Sequence, residues 1–306
     1  MDDILTFLQK EGVDNALLEG VSAFRKAHAV PEDLASRVPQ GGVRYLGTAV
    51  LDKAIAALLC RKNLLLAGPK ATGKNVLATT LAEAFGRPVW NVSFHIGADA
   101  ASLVGTDTYD GEKVVFRQGP VTRCAAYGGF GILDEINMAR NEALAVLHSA
   151  LDDRRILDVP GYQLVPLAEE TRFIATMNYG YAGTRELNEA LASRFVVLDM
   201  PLITRDNLLR LIKERFPKCK ESAAEQFADL FFELEKKAES AEVSGKAADL
   251  RGLLDAIDLC QNGLTAGDAL AMCIADKTFD PYEKSLVTDV IDERIDPSWK
   301  GRELFD

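Results

Sequence analysis

The sequence predicts an α/β fold in which helices cover both faces of a parallel sheet, followed by a smaller all-helical domain. Between residues 43 and 200, helical and strand-like segments alternate, which is typical of parallel strands joined by helices. After the strand-like segment "VVLDMPL" the chain shows helical periodicity, as in "AAEQFADLFFELEKKAES". A hydrophobic content of 48% in 306 residues allows a large buried core.

Three segments follow one another along the chain. Residues 1–42 are predicted to form short helices, "ILTFLQKE", "DNALLEGVSAFRKAH" and "PEDLASRV", with Pro31 at the first helical position of the third. Residues 43–200 form the predicted α/β core, with strands "NLLLAG", "PVWNVSF", "GILDEI" and "TRFIATMN" and with helices that include "KNVLATTLAEAF" and "NEALAVLHSALDD". Residues 201–306 form the predicted smaller helical domain.

Composition and charge argue against several classes of function. The net charge is -11 and no long run of Lys and Arg is present, so nucleic acid is not expected as a partner. The N-terminus "MDDILTFLQKEGVD" is acidic where a signal peptide is basic, and the apolar stretches are too short for a bilayer, so we expect a cytoplasmic protein without a membrane partner. The five cysteines form no Cys-x-x-Cys pair, which favours buried reduced thiols.

The segment "GPKATGKN", residues 68–75, lies where a predicted strand gives way to a helix. Backbone N–H groups in such a loop surround phosphate oxygens, and Lys74 is placed to reach the β and γ phosphates. The pattern departs from the usual one at Ala71, where glycine is common, and at Asn75, where Ser or Thr normally ligates magnesium. The predicted nucleotide-binding residues are Gly68, Pro69, Lys70, Ala71, Thr72, Gly73, Lys74, Asn75 and Val76.

Adjacent carboxylates close the predicted strand in "GGFGILDEIN". Asp134 is predicted to hold magnesium and Glu135 to polarise the attacking water in phosphoryl transfer. Asn178 ends the next predicted strand, "TRFIATMN", and a polar residue there can orient the same water. Two arginines, Arg194 in "ALASRF" and Arg251 in "DLRGLLDAI", are weaker candidates for contact with a γ phosphate.

In their order along the chain, these segments resemble the AAA+ ATPases, and among them the MoxR-like and dynein-related group. The resemblance covers residues 43–295 and matches "GPKATGKN" to the Walker A loop, "ILDEIN" to Walker B and "ATMN" to sensor 1. "ALASRF" is similar to the segment with the arginine finger and "DLRGLLDAI" to the sensor 2 helix. The inserts "VGTDTYDGEKVVFRQGPVTRCA" and "DDRRILDVPGYQLVPLAEETRF" are similar to those of this group, and the tail is similar to the lid of members that activate Rubisco or nitric oxide reductase.

The resemblance implies a P-loop ATPase that uses ATP and magnesium in a homo-oligomeric ring, usually a hexamer. Arg194 of one subunit would then complete the site of the next. Members of the group remodel or mature protein clients, often by cofactor insertion and with a partner that carries a von Willebrand factor A domain. The segment "GEKVVFRQ" would touch the client.

Two alternatives to a remodelling ATPase remain at this point. Because Asn75 replaces the usual hydroxyl residue, the protein could be a nucleotide-binding switch or scaffold with slow hydrolysis. A nucleic-acid motor of the restriction type is the other, because related motors carry a similar "DEIN", although the acidic balance counts against it. The Asn75 carbonyl is a hard oxygen one bond farther from the backbone than a Thr hydroxyl, so direct and water-bridged metal ligation are both open.

Overall fold

Five parallel strands form the central sheet, and their order across it is Val89–Ser93, Phe130–Asp134, Arg172–Asn178, Leu64–Gly68 and Val196–Asp199. The coordinates are a computed structural model that describes residues 3–159, 164–179 and 187–306. Two antiparallel hairpins accompany the sheet, Gly105–Tyr109 with Val114–Gln118 and Ile156–Leu157 with Val165–Pro166. The strands are β1 Leu64–Gly68, β2 Val89–Ser93, β3 Gly105–Tyr109, β4 Val114–Gln118, β5 Phe130–Asp134, β6 Ile156–Leu157, β7 Val165–Pro166, β8 Arg172–Asn178 and β9 Val196–Asp199.

Helices cover both faces of this sheet, as predicted. Alternation along β1 shows the two faces, because Leu64 and Leu66 enter one buried cluster and Leu65 enters the other. The first cluster also takes Ile4 and Leu8 from the N-terminal helices. The α-helices of this part of the chain are α1 Asp3–Lys10, α2 Asn15–Ala27, α3 Thr48–Leu59, α4 Lys74–Phe85, α5 Ala100–Val104, α6 Pro120–Tyr127, α7 Asn141–Leu144, α8 His148–Leu151 and α9 Glu189–Ala192.

The chain divides into two compact units, Met1–Pro201 and Leu202–Asp306. The described second unit is helical, and its core includes Phe227, Leu230 and Leu234, which recur on one face of a long helix. Its helices are α10 Arg205–Arg215, α11 Glu221–Glu239, α12 Leu250–Gln261, α13 Ala266–Cys273, α14 Pro281–Arg294 and α15 Gly301–Leu304. Among the described residues, every helix is too short or too polar to span a bilayer.

Three local predictions were wrong. The segment "NEALAVLHSALDD" is not one helix, because a 3-10 turn at Ala145–Leu147 separates α7 from α8 and brings Leu144 and Leu147 to the same buried side. "PEDLASRV" forms a 3-10 helix, Glu32–Arg37, so Pro31 precedes the helix instead of beginning it. Cys60 is exposed because it directly follows the last residue of α3.

Candidate functional site

The phosphate loop connects the end of β1 to the start of α4 and makes a tight turn. Ala71 has φ 64° and Gly73 has φ 78°, so both take the left-handed conformation that favours glycine. At Gly68 an added Cβ would lie 2.9 Å from the carbonyl oxygen of Met200, and at Gly73 it would lie 3.2 Å from the Tyr45 ring. A side chain larger than that of glycine would therefore crowd the loop at Gly68 and Gly73. Ala71 adopts a left-handed φ that alanine, unlike glycine, rarely takes.

Lys74 folds its side chain back into this loop. Its Nζ donates hydrogen bonds to the carbonyl oxygen of Gly68 at 3.0 Å and to the Thr72 hydroxyl at 3.2 Å, and only 8% of the residue is exposed. Burial lowers the pKa of Lys74 to about 8, an effect that the nearby charges of Asp134 and Glu135 partly oppose. A cation in this position is matched to the oxygens of a bound phosphate.

Asp134 is the last residue of β5. It lies at the end of the sheet where the parallel strands terminate, and we call this end the carboxyl edge. Its Oδ2 accepts a hydrogen bond from the Asn75 side-chain amide at 3.1 Å, and its Oδ1 accepts one from the Thr176 hydroxyl at 2.5 Å. The start of α4, through Asn75, and the carboxyl-terminal parts of β5 and β8 thus meet at one carboxylate.

Glu135 follows immediately and turns the chain out of the strand. Its φ is 54°, again left-handed for a residue other than glycine, and its N–H donates to the Thr176 hydroxyl at 3.0 Å. The side-chain amide of Asn178 donates to Glu135 Oε1 at 3.0 Å. Asn137, 3% exposed, donates in turn to the backbone oxygen of Asn178 at 2.9 Å.

Sequence reasoning named Asp134, Glu135 and Asn178 and missed Thr176 and Asn137. Thr176 could have been found from strand periodicity, because it precedes Asn178 by two residues and so shares its face of β8. Asn137 was visible in "DEIN" but carried no pattern of its own.

The donor set fits a magnesium nucleotide. Magnesium prefers oxygen ligands, often one or two carboxylates completed by phosphates and water, and Asp134 with the Asn75 amide oxygen supplies ligands of this kind. The left-handed turn at Ala71 and Gly73 and the start of α4 supply the backbone arrangement that holds anions.

Arg194 lies at the other end of the sheet, near the amino ends of the strands. It precedes β9 by two residues, and Val196 at the start of β9 pairs with Leu64 at the start of β1. Leu64 and Gly68 are four residues apart along β1, so Arg194 is separated from Gly68 by roughly 13 Å or more along the strand direction. Its Nε donates to the His148 carbonyl oxygen at 3.2 Å.

The Arg194 guanidinium also reaches a carboxylate. Its Nη2 lies 3.8 Å from Asp152 Oδ2, and the same oxygen accepts a hydrogen bond from Arg154 at 2.7 Å. Burial, followed by the charge of Arg194, lowers the pKa of His148. The structure therefore does not bring Arg194 to the phosphate loop of its own chain.

Arg251 belongs to the second unit, where it is exposed in the first turn of α12. The tip of the second predicted insert, residues 160–163, lies outside the described residues, while β6 and β7 form its base. The first insert contains the β3–β4 hairpin, in which Tyr109 and Val114 are 67% and 66% exposed.

Comparison with known proteins gives a family match for the part of the chain that contains this site. The family "AAA domain (dynein-related subfamily)" matches residues 63–195, which include the phosphate loop, both acids, Asn178 and Arg194. The chain is 33% identical over 270 residues to the uncharacterized protein YojN of Bacillus subtilis (strain 168), covering 87% of this chain and 88% of YojN.

Two further similarities span most of the chain. The uncharacterized protein SH1500 of Staphylococcus haemolyticus is 34% identical over 250 residues, which cover 80% of this chain and 95% of that protein. A crystal structure from Cytophaga hutchinsonii aligns with 89% of this chain and 86% of its own, with a TM-score of 0.46 and 15% identity.

Proposed function

Residues 63–195 of this chain form an AAA domain of the dynein-related subfamily, and from that premise we propose that the chain is a magnesium-dependent ATPase that remodels a protein client. Within this proposal we place it in the MoxR-like group of maturation factors. One observation carries the proposal: Lys74, Asn75, Asp134, Glu135 and Asn178 meet at the carboxyl edge of the sheet. A nucleotide-binding loop and a pair of acids placed together in this way support hydrolysis.

Each of these residues has a distinct role in the proposed reaction. Lys74 binds phosphate oxygens, while Asp134 and Asn75 would hold magnesium. The metal, when bound, neutralises charge on the phosphate oxygens. Glu135 accepts a proton from the attacking water, and Asn178 fixes the Glu135 carboxylate through the 3.0 Å hydrogen bond.

A ring of identical subunits, a hexamer in the family pattern, would complete the site. The position of Arg194 at the amino ends of the strands supports this part of the proposal, because the side chain lies away from its own phosphate loop. In the ring it would meet the γ phosphate bound by the neighbouring subunit.

The client would contact the β3–β4 hairpin. The turn of this hairpin is ordered by Asp110, whose carboxylate accepts hydrogen bonds from the N–H groups of Glu112 and Lys113 at 3.0 and 2.9 Å. It presents the exposed apolar side chains of Tyr109 and Val114. A partner with a von Willebrand factor A domain is part of the same proposal and rests on the family resemblance alone.

The experiment that tests hydrolysis compares the purified chain with Glu135→Gln across a range of protein concentrations. Loss of a general base lowers turnover by about 100-fold or more, so the variant should be nearly inactive. Because this substitution leaves the phosphate loop unchanged, binding of a fluorescent ADP analogue should persist.

A matched control is Glu19→Gln, which makes the same change at an exposed position of α2. It should hydrolyse ATP at the wild-type rate. If the wild type is no faster than Glu135→Gln at concentrations where it is assembled, the enzyme proposal is wrong.

One observation favours a second candidate function, a nucleotide-binding switch with slow hydrolysis. The Asn75 amide nitrogen, and not its oxygen, faces Asp134, so ligation of a metal between these two side chains requires the amide to turn. The same experiment separates the two candidates, since a switch binds ADP tightly and shows no difference in turnover between wild type and Glu135→Gln.

A further inference from the structure

The Thr176 hydroxyl lies between the two acids of the site. It donates a hydrogen bond to Asp134 Oδ1 at 2.5 Å and accepts one from the Glu135 N–H at 3.0 Å. Thr176 is 1% exposed, so water does not compete for the hydroxyl. A single oxygen atom thus fixes the side chain of one acid and the backbone of the other.

The strand geometry explains why this hydroxyl is in reach. β5 and β8 are parallel neighbours whose last paired residues are Leu133 and Ala175, so Asp134 and Thr176 each stand one residue beyond. Asn178, two residues farther on the same face, holds the Glu135 side chain. Thr176 and Asn178 therefore orient different parts of the same acid pair.

The backbone of Glu135 needs such support. Its φ of 54° is unfavourable for a residue with a Cβ. The hydrogen bond from its N–H to Thr176 satisfies a donor that the end of the strand would otherwise leave without a strand partner. If this contact were lost, Glu135 could return to an extended conformation and its carboxylate would move.

We propose that Thr176 is a positioning residue of the hydrolytic site, which aligns the metal ligand Asp134 and the base Glu135 through its hydroxyl. This inference rests on the proposed function. Since Thr176 contacts neither Lys74 nor the phosphate loop in the described contacts, it should affect metal-dependent binding and turnover but not metal-free nucleotide binding.

The test uses the full chain with Thr176→Val, which preserves the branched shape, and Thr176→Ser, which preserves the hydroxyl. Thr122→Val is the matched control, because Thr122 is also fully buried and donates one hydrogen bond, to the Val104 carbonyl oxygen at 2.6 Å. Three quantities are measured for each: ATP turnover, the Kd for ADP in EDTA, and the Kd for ADP with magnesium.

For Thr176→Val we expect turnover to fall by about 10- to 100-fold, the range for loss of a hydrogen bond to a charged group. The gain in ADP affinity on adding magnesium should shrink severalfold, while the Kd in EDTA stays within about twofold of wild type. Thr176→Ser should recover most of the turnover, and Thr122→Val should resemble wild type.

Several results overturn the proposal. They are wild-type behaviour of Thr176→Val, equal impairment of the serine variant, or an equal loss in Thr122→Val. If the valine variant does not fold, Thr176→Ala is judged by the same criteria, and failure of both to fold assigns Thr176 to stability alone. A wild type that shows no turnover refutes the proposed function instead, while its magnesium-dependent ADP binding still tests the Thr176–Asp134 contact.

Discussion

The two ends of the five-stranded sheet hold their polar side chains in different ways. One is the carboxyl edge, and the other, where the parallel strands begin, we call the amino edge. At the carboxyl edge, direct hydrogen bonds of about 3 Å join Asn75 to Asp134 and Asn178 to Glu135. At the amino edge, Arg194 donates hydrogen bonds to the backbone carbonyl oxygens of His148, at 3.2 Å, and Ala190. Its side-chain partner, the carboxylate of Asp152, is 3.8 Å away and already pairs with Arg154. A partly exposed ion pair of this length contributes about 0–1 kcal/mol, so the contact with Asp152 holds the guanidinium only weakly.

From this difference we infer that the polar side chains of the carboxyl edge are paired within the chain, whereas Arg194 at the amino edge can contact a second subunit. The largest effect is expected from Arg194→Ala. We expect turnover in the assembled protein to fall by about 1,000-fold, because an arginine supplied to the γ phosphate contributes on that scale. ADP binding should persist, since Arg194 lies far from the phosphate loop of its own chain.

Mixing two inactive variants tests directly whether Arg194 acts on the site of a neighbouring subunit. Subunits with Arg194→Ala and subunits with Glu135→Gln should recover turnover when combined, because some interfaces then join intact acids to an intact arginine. Arg154→Ala is the control, since Arg154 shares Asp152 but is 66% exposed. If Arg154→Ala is equally damaging, or if mixing restores nothing, Arg194 does not act across subunits.

A smaller effect is expected at the carboxyl edge from Asn75→Thr. In the structure the Asn75 amide nitrogen, and not its oxygen, faces the Asp134 carboxylate, so a metal bound between these two side chains requires the amide to turn. A threonine hydroxyl can ligate the metal without that rearrangement. We expect turnover to rise about three- to tenfold, as for one hydrogen bond of about 1 kcal/mol, and ADP binding to depend more strongly on magnesium.

Steady-state turnover and titrations of ADP with and without magnesium measure both effects. Asn15→Thr, an exposed change at the start of α2, serves as the control. An unchanged or lower rate in Asn75→Thr would mean that the asparagine does not limit the metal site.

The sequence was sufficient to predict the strands and the residues at their ends. Apolar runs such as "NLLLAG" and "GILDEI" form β1 and β5, and in a parallel sheet their last residues meet at one edge, which brings Asp134 towards the phosphate loop. The contacts of Thr176 were not predicted because threonine is common in strands and its partners are the last residue of β5, Asp134, and the residue after it, Glu135. The left-handed conformations of Ala71 and Glu135 were equally hidden, since tertiary contacts impose them against local preference.

Ala71→Gly should produce the smallest effect and concerns the stability of the carboxyl edge. A left-handed φ of 64° costs a residue with a Cβ about 1–2 kcal/mol, whereas glycine loses about 0.5–1 kcal/mol more backbone entropy on folding. The free energy of unfolding in urea should therefore rise by about 0.5 kcal/mol. Ala57→Gly, in the last turn of α3, should lower it by up to about 1 kcal/mol, because glycine loses more backbone entropy than alanine on entering a helix. If both changes destabilise the protein equally, the loop does not strain Ala71, and the departure from glycine at this position has no energetic cost.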